Sequence, residues 1–288
     1  MTDIKATKDT VARTFDMSLE IAASPDAVWR ALTEATELTR WFPLEAKVTP
    51  GKGGTMYWGW GEGWAGESKI VEWEPHRRLK LIETRQGFDA DGRPLNDPGQ
   101  TRELAVEVTL ESHAGRTRVR LVHSGFGDGA NWDDELDGIS TGWQFELRGL
   151  RYYLEHHRGR SRVYGWARSS SDLAPAEVWK QLVGPGAFHL PRPLPSEGAP
   201  YVLNFGRHRL SGTTLITLPD ADFAGNASQL HDGMFRLGTF RAAGRTGIMA
   251  WLSSYYPEDE AKVKAFERDA QDFFDRTFVP YARRTALT

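Results

Sequence analysis

Ser24-Pro25-Asp26-Ala27-Val28-Trp29-Arg30-Ala31-Leu32 returns 150 residues later as Ala174-Pro175-Ala176-Glu177-Val178-Trp179-Lys180-Gln181-Leu182. The shared frame is Pro-x-x-Val-Trp-(basic)-x-Leu. Proline suits the first turn of a helix, where its missing N–H costs nothing. Val, Trp and Leu then fall at i, i+1 and i+4, on one side of a short helix. Each copy follows a strand-like stretch, Phe15 to Ala22 and Arg162 to Arg168. Each half also ends in a long amphipathic helix. In the first, Leu136, Ile139, Trp143, Leu147, Leu150 and Leu154 recur at steps of three and four. In the second, Val263, Phe266, Ala270, Phe273 and Thr277 do so after an acidic turn, Glu258 to Glu260, that suits the helix dipole. Strand, short helix, several strands and long helix therefore occur twice. A repeat of this size implies a duplicated domain rather than a solenoid. It predicts one domain over 14–157 and a second, divergent one over 160–285.

Between the helices of the first half the apolar period becomes two. Leu104, Val106, Val108 and Leu110 alternate with Ala105, Glu107, Thr109 and Glu111, and Thr117, Val119, Leu121 and His123 alternate with Arg116, Arg118 and Arg120. A four-residue turn at Ser112 to Gly115 predicts Glu111 opposite Arg116 and Glu107 opposite Arg120 outside, with Val108 opposite Val119 and Val106 opposite Leu121 inside. The fold class is α+β, an antiparallel sheet with one wet face and a long helix over the other. In the second half, Gly184 to Pro200 reads as a Pro/Gly-rich loop. Strands are predicted around Tyr201 to Phe205, Thr213 to Leu218, Met234 to Phe240 and Gly247 to Ser253.

With 288 residues, 40% hydrophobic and 26% charged, the chain has room for two ordinary cores. A net charge of −3 supplies no field to recruit nucleic acid or an anionic membrane. The absence of cysteine removes disulfides, thiolate nucleophiles and cysteine-based zinc sites. It also fits a reducing compartment. Met1 to Asp16 lacks the apolar core of a secretory signal, and no run approaches the ~18 apolar residues of a membrane helix. The expected location is the cytoplasm. Tryptophan is unevenly spread: eight of the 11 precede residue 150.

The first half resembles the activator-of-heat-shock-protein-90-ATPase-like family of the START/Bet v 1-like (SRPBCC) superfamily. The resemblance rests on five pieces in order: Pro25 to Thr33, Leu38-Thr39-Arg40-Trp41-Phe42, Gly53-Gly54, Val71 to Leu79, and Leu121-Val122-His123-Ser124-Gly125-Phe126 followed by Gly142-Trp143. It implies a helix-grip fold, a curved antiparallel sheet wrapped on a long C-terminal helix with a cavity between them. The whole chain then reads as two tandem helix-grip units, the second degenerate. The family name implies a chaperone partner. Only about a dozen residues precede the first strand, however, so the separate N-terminal chaperone-binding domain of the eukaryotic activators is expected to be absent.

Candidate chemistry is sparse. Gly59-x-Gly61-x-Gly63-x-x-Gly66 contains a GxGxxG string, but Glu67 to Trp73 after it reads as strand, where a dinucleotide loop needs a helix. The better reading is a Gly-rich strand and turn carrying Trp58, Trp60 and Trp64 on one face, with glycines making room for the indoles. His123 shares the inward parity of Val119 and Leu121. Glu62 and Glu67 read as solvated charges. His156-His157 diverge by about 100° on a helix and His231-Asp232 has no second cluster to join, so no metal is assigned. There is no Gly-x-Ser-x-Gly elbow, and the Arg116/118/120 row reads as a sheet face rather than a nucleic-acid patch.

The residues thus point first to non-catalytic binding of a small, mostly apolar molecule in the first unit, lined by Trp41, Trp58, Trp60, Trp64, His123 and Trp143, with no cofactor. The alternatives are a co-chaperone-like protein-interaction module and a cyclase- or hydratase-type enzyme using His123 as acid/base. The second unit is expected to be a structural or docking partner.

Overall fold

The computed structural model describes residues 3–5, 13–61, 65–86, 101–242 and 245–280. The chain forms two compact units, Met1–Gly159 and Arg160–Thr288.

The first unit opens with β1 (Asp3–Lys5) and β2 (Thr14–Ile21), followed by helices α1 (Pro25–Thr33) and α2 (Ala35–Trp41). A meander follows: β3 (Glu45–Val48), β4 (Thr55–Gly59), β5 (Ala65–Glu74), β6 (Arg78–Gln86), β7 (Thr101–His113) and β8 (Arg116–Ser124). Helix α3 (Ala130–Tyr152) closes the unit and runs on as a π-helical turn, Tyr153–His157. The sheet order is β1-β2-β8-β7-β6-β5-β4-β3, so the last strand returns beside β2. Ser24 caps α1 by accepting from the Ala27 amide, and Pro25 fills its first position. Trp29 is 6% exposed and meets Trp73 edge-on with ring centroids 5.1 Å apart. The inner face of the sheet is apolar at every second residue, Phe15, Met17, Leu19 and Ile21 on β2 facing Val119 and Leu121 on β8. Leu147, Leu150 and Leu154 supply the buried stripe that lies on it.

The β7–β8 register differs from the expected one by two residues. His113 pairs with Arg116, Glu111 with Arg118, Val108 with Leu121 and Val106 with His123. The turn is only Ala114-Gly115, and both residues have positive φ, 47° and 78°. Such a two-residue turn matches the right-handed twist of a hairpin, which the four-residue alternative does not. A slip of two preserves which face each side chain occupies. It changes the partners: Arg120 pairs with Asp16 at 2.6 Å and Glu107 with Arg78 at 3.1 Å, while Arg116 reaches Glu155 at 3.5 Å. The notion that glycines house indoles is also corrected. A side chain at Gly59 would meet Tyr57 and Glu45, not a tryptophan.

The second unit repeats the plan with β9 (Val163–Ser171), α4 (Pro175–Leu182), β10 (Pro200–Phe205), β11 (His208–Leu218), β12 (Asp222–Ala227), β13 (Gly233–Ala242), β14 (Arg245–Ser254), α5 (Glu260–Thr277) and β15 (Val279–Pro280). Its order, β10-β11-β12-β13-β14-β9-β15, again sets the last meander strand beside the first strand of the unit. Trp179, 3% exposed, occupies the place of Trp29. Among the described residues this sheet has one meander strand fewer than the first, and no helix corresponds to α2. Strand β12 was not expected, because Asp222, Gly225 and Asn226 are turn-type residues; pairing on both sides holds it. Gly225 serves close approach, since a Cβ there would lie 2.3 Å from the Tyr201 ring. Asp222 and Arg236 form a buried bidentate pair, with Nη2 donating to Oδ2 at 2.6 Å and Nε to Oδ1 at 3.2 Å. The buried line of α5 runs through Val263, Phe266, Ala270 and Phe274. Thr277 is exposed and Phe273 half-buried, because the step from Ala270 is four residues here.

Candidate functional site

The inward parity of β8 carries His123 under α3, where it is 3% exposed. Trp143 on α3 donates its indole Nε1–H to His123 Nδ1 at 3.0 Å. Burial, helped by the nearby Arg85 charge, pushes the His123 pKa down to about 3, so the ring is neutral at ordinary pH. With Nδ1 accepting, the ring proton sits on Nε2. That Nε2–H is buried and finds no hydrogen-bond partner among the described residues. Glu83 Oε1 lies 3.7 Å away. This is too long for a hydrogen bond and, with a neutral imidazole, not an ion pair. The same oxygen accepts from Arg85 Nε at 3.3 Å, and Arg85 also reaches Glu135 on α3 at 3.5 Å. Burial pushes the Glu135 carboxyl up, and Arg85 opposes this.

Around this polar end the interior is aromatic. Phe42, just past α2, stacks on Trp41 at 5.1 Å and on Trp143 at 5.3 Å between ring centroids, and meets Trp58 and Trp60 edge-on at 5.3 and 5.0 Å. Such pairs favour offset or edge contacts over face-to-face sandwiches. Trp58 and Trp143 are perpendicular at 6.5 Å, and Phe126 lies 5.0 Å from the His123 ring. The Trp58 Nε1–H is a second buried donor without a partner among the described residues. Trp41 differs: its indole donates to the Ala31 carbonyl at 2.8 Å, so its polar edge is committed to α1.

Five of the six expected lining residues, Trp41, Trp58, Trp60, His123 and Trp143, thus share one cluster. Trp64 lies outside the described residues. Sequence reasoning missed Phe42, Phe126, Glu83, Arg85 and Glu135. Phe42 stood inside a quoted motif but beyond the end of α2, where helical periodicity gives no facing. Glu83 and Arg85 share the inward parity of Leu79 and Leu81, and that alternation was their only signal. Among the described residues no group of three His, Asp or Glu is placed to hold a metal ion, and no helix is long and apolar enough to cross a membrane. Downstream of the GxGxxG string the chain enters β5, not a helix. A separate groove of about 250 Å³ lies between α1, α2 and the end of the π turn, lined by Arg30, Glu37, Arg40 and Arg158 among others. Its floor is tied by Tyr153, whose hydroxyl donates to Glu37 at 2.7 Å and accepts from the Gly159 amide at 2.9 Å.

The interior of the second unit is different. The loop between α4 and β10 delivers Phe188, which is fully buried and stacks on Phe205 at 4.1 Å. Phe266 and Phe273 of α5 pack edge-on against it at 6.1 and 5.9 Å. A phenyl group thus fills the space between sheet and helix.

Two antiparallel sheets, each closed by a long C-terminal helix, define a tandem helix-grip protein. The family profile described as Activator of Hsp90 ATPase homolog 1-like protein matches residues 22–155. The match lies within the first unit, and it is this part of the chain that is similar to the family. No curated protein matches the chain. Among solved structures it is similar to protein MLL2253 from Mesorhizobium loti, with 22% identity over 51% of this chain and 99% of that one and a TM-score of 0.42. The Aha1 dimer from Colwellia psychrerythraea shows 21% identity over 51% and 98%, with a TM-score of 0.41. The di-domain ARO/CYC protein BexL of the BE-7585A biosynthetic pathway shows 17% identity over 92% and 95%, with a TM-score of 0.41.

Proposed function

We propose that the first unit binds a small, mostly apolar molecule, without converting it, between its sheet and α3. The observation that carries this is the difference between the two interiors. The second is closed by Phe188, whereas the first keeps the His123 Nε2–H donor buried and unpaired beside an aromatic cluster. Small-molecule sites have this composition, apolar walls with a few convergent polar groups. An unpaired buried donor costs about 1–3 kcal/mol, a cost that an occupant with an acceptor would remove. The enzyme alternative draws less support, because a His123 pKa near 3 makes the imidazole a weak base at neutral pH.

The experiment is a mass-spectrometric search for small molecules retained by the purified full chain, followed by titration of whatever is found against intrinsic tryptophan fluorescence. Trp143→Ala and Trp58→Ala should each weaken binding about tenfold or more. Binding untouched by both substitutions would place the site elsewhere.

A further inference from the structure

The polar groups of the site restrict what can occupy it. His123 Nε2–H and Trp58 Nε1–H are both donors, both buried and both unpaired among the described residues. Both rings approach Trp143, with centroids 6.4 and 6.5 Å from its ring. Neither can turn into an acceptor. An indole nitrogen only donates, and the His123 Nδ1 acceptor is already used by Trp143. Two carboxylates and a guanidinium stand near His123. Glu83 stands 3.7 Å from Nε2 with a side chain only 13% exposed, and Glu135 is 22% exposed. Arg85 is held between these two carboxylates. A ligand carboxylate seated at Nε2 would lie against Glu83, and like charges in a poorly solvated site repel strongly.

We infer that the occupant is an uncharged, largely apolar molecule that presents an acceptor oxygen, a carbonyl or an ether, to His123 Nε2–H, with Trp58 Nε1–H available to a second acceptor. This specificity rests on the binding reading above. A carboxylate at Nε2 would be disfavoured by Glu83, which lies 3.7 Å away. Pure hydrocarbons would leave both donors unpaired. Because His123 is neutral throughout the ordinary pH range, its donor is present without any change of protonation.

Three probes built on one tricyclic frame separate these possibilities: 9-fluorenone, which carries a carbonyl, fluorene, which lacks an acceptor, and fluorene-9-carboxylate. Each is titrated into the full chain at neutral pH and read by calorimetry. Fluorenone should bind about tenfold or more tighter than fluorene, the usual consequence of pairing one buried donor. The carboxylate should bind weakest. His123→Phe should abolish the preference for fluorenone over fluorene, and His123→Gln, which restores an N–H donor, should recover part of it. If His123→Phe does not fold, Trp58→Phe takes its place and should reduce the preference. Equal binding of fluorenone and fluorene, or tightest binding of the carboxylate, overturns the specificity while the apolar binding reading stands. No binding of any probe overturns both.

Discussion

Lowering the pH from 8 to 5 should destabilise the first unit through His123 alone by about 2 kcal/mol. The folded protein holds this imidazole neutral, with its pKa pushed to about 3 by burial, against 6.5 for an ordinary histidine. The unfolded chain therefore takes up a proton near pH 6.5 that the folded one refuses. Stability from this source is complete above pH 6.5 and is lost as the pH falls toward 3. Each pH unit in that window is worth about 1.4 kcal/mol, which gives the ~2 kcal/mol figure at pH 5. Substitution His123→Phe removes the titrating group. It also leaves the Trp143 N–H without its acceptor, a pH-independent loss of about 1–3 kcal/mol. Glu83, Arg85 and Glu135, the charged groups around the ring, remain in both proteins and largely cancel in the comparison. The assay is urea unfolding followed by tryptophan fluorescence, which reports mainly on the first unit because eight of the 11 tryptophans lie there. The stability gap between wild type and His123→Phe should shrink by ~2 kcal/mol between pH 8 and pH 5. A gap constant to within about 0.5 kcal/mol would show that His123 titrates in the folded protein as it does in the unfolded chain, and a gap that grows would show it protonated there; either result would overturn the buried, neutral imidazole.

Three further outcomes are expected. Trp29→Ala and Trp179→Ala should each cost about 3–5 kcal/mol in thermal unfolding, since both indoles are buried against their own sheets; an unchanged melting temperature at either position would contradict that packing. Phe188→Ala should destabilise the second unit by about 3–5 kcal/mol and create an apolar void, so benzene should stabilise the variant and not the wild type; benzene without effect would mean that the loop collapses into the space. Asp222→Asn should cost about 3–5 kcal/mol by removing the buried charge that Arg236 pairs with, while Asp222→Met with Arg236→Leu should recover most of the loss in chemical denaturation; a double variant no better than the single would assign the pair a role beyond charge compensation.

What the sequence determined by itself was the plan of each unit and the facing of its side chains. The Pro25 and Pro175 frames, the three-and-four spacing of Leu136 to Leu154, and the alternation along β7 and β8 are local signals. They follow from 3.6 residues per helical turn and from two per strand repeat. The same alternation placed His123 inward, and the two-residue slip of the hairpin left that facing intact. Periodicity tells which face a residue occupies but not what it meets there. The meeting of His123 with Glu83, or of Trp143 with Phe42, depends on sheet register and on how α2 and α3 close over the sheet. The same limit hid β12, whose Asp, Gly and Asn become strand only when two neighbours satisfy their backbone groups. It also hid Phe188, an aromatic in a Pro-rich loop that nothing local marks as the plug of a core. The protonation state of His123 was decided last of all, by the burial and hydrogen bond that only the assembled interior supplies.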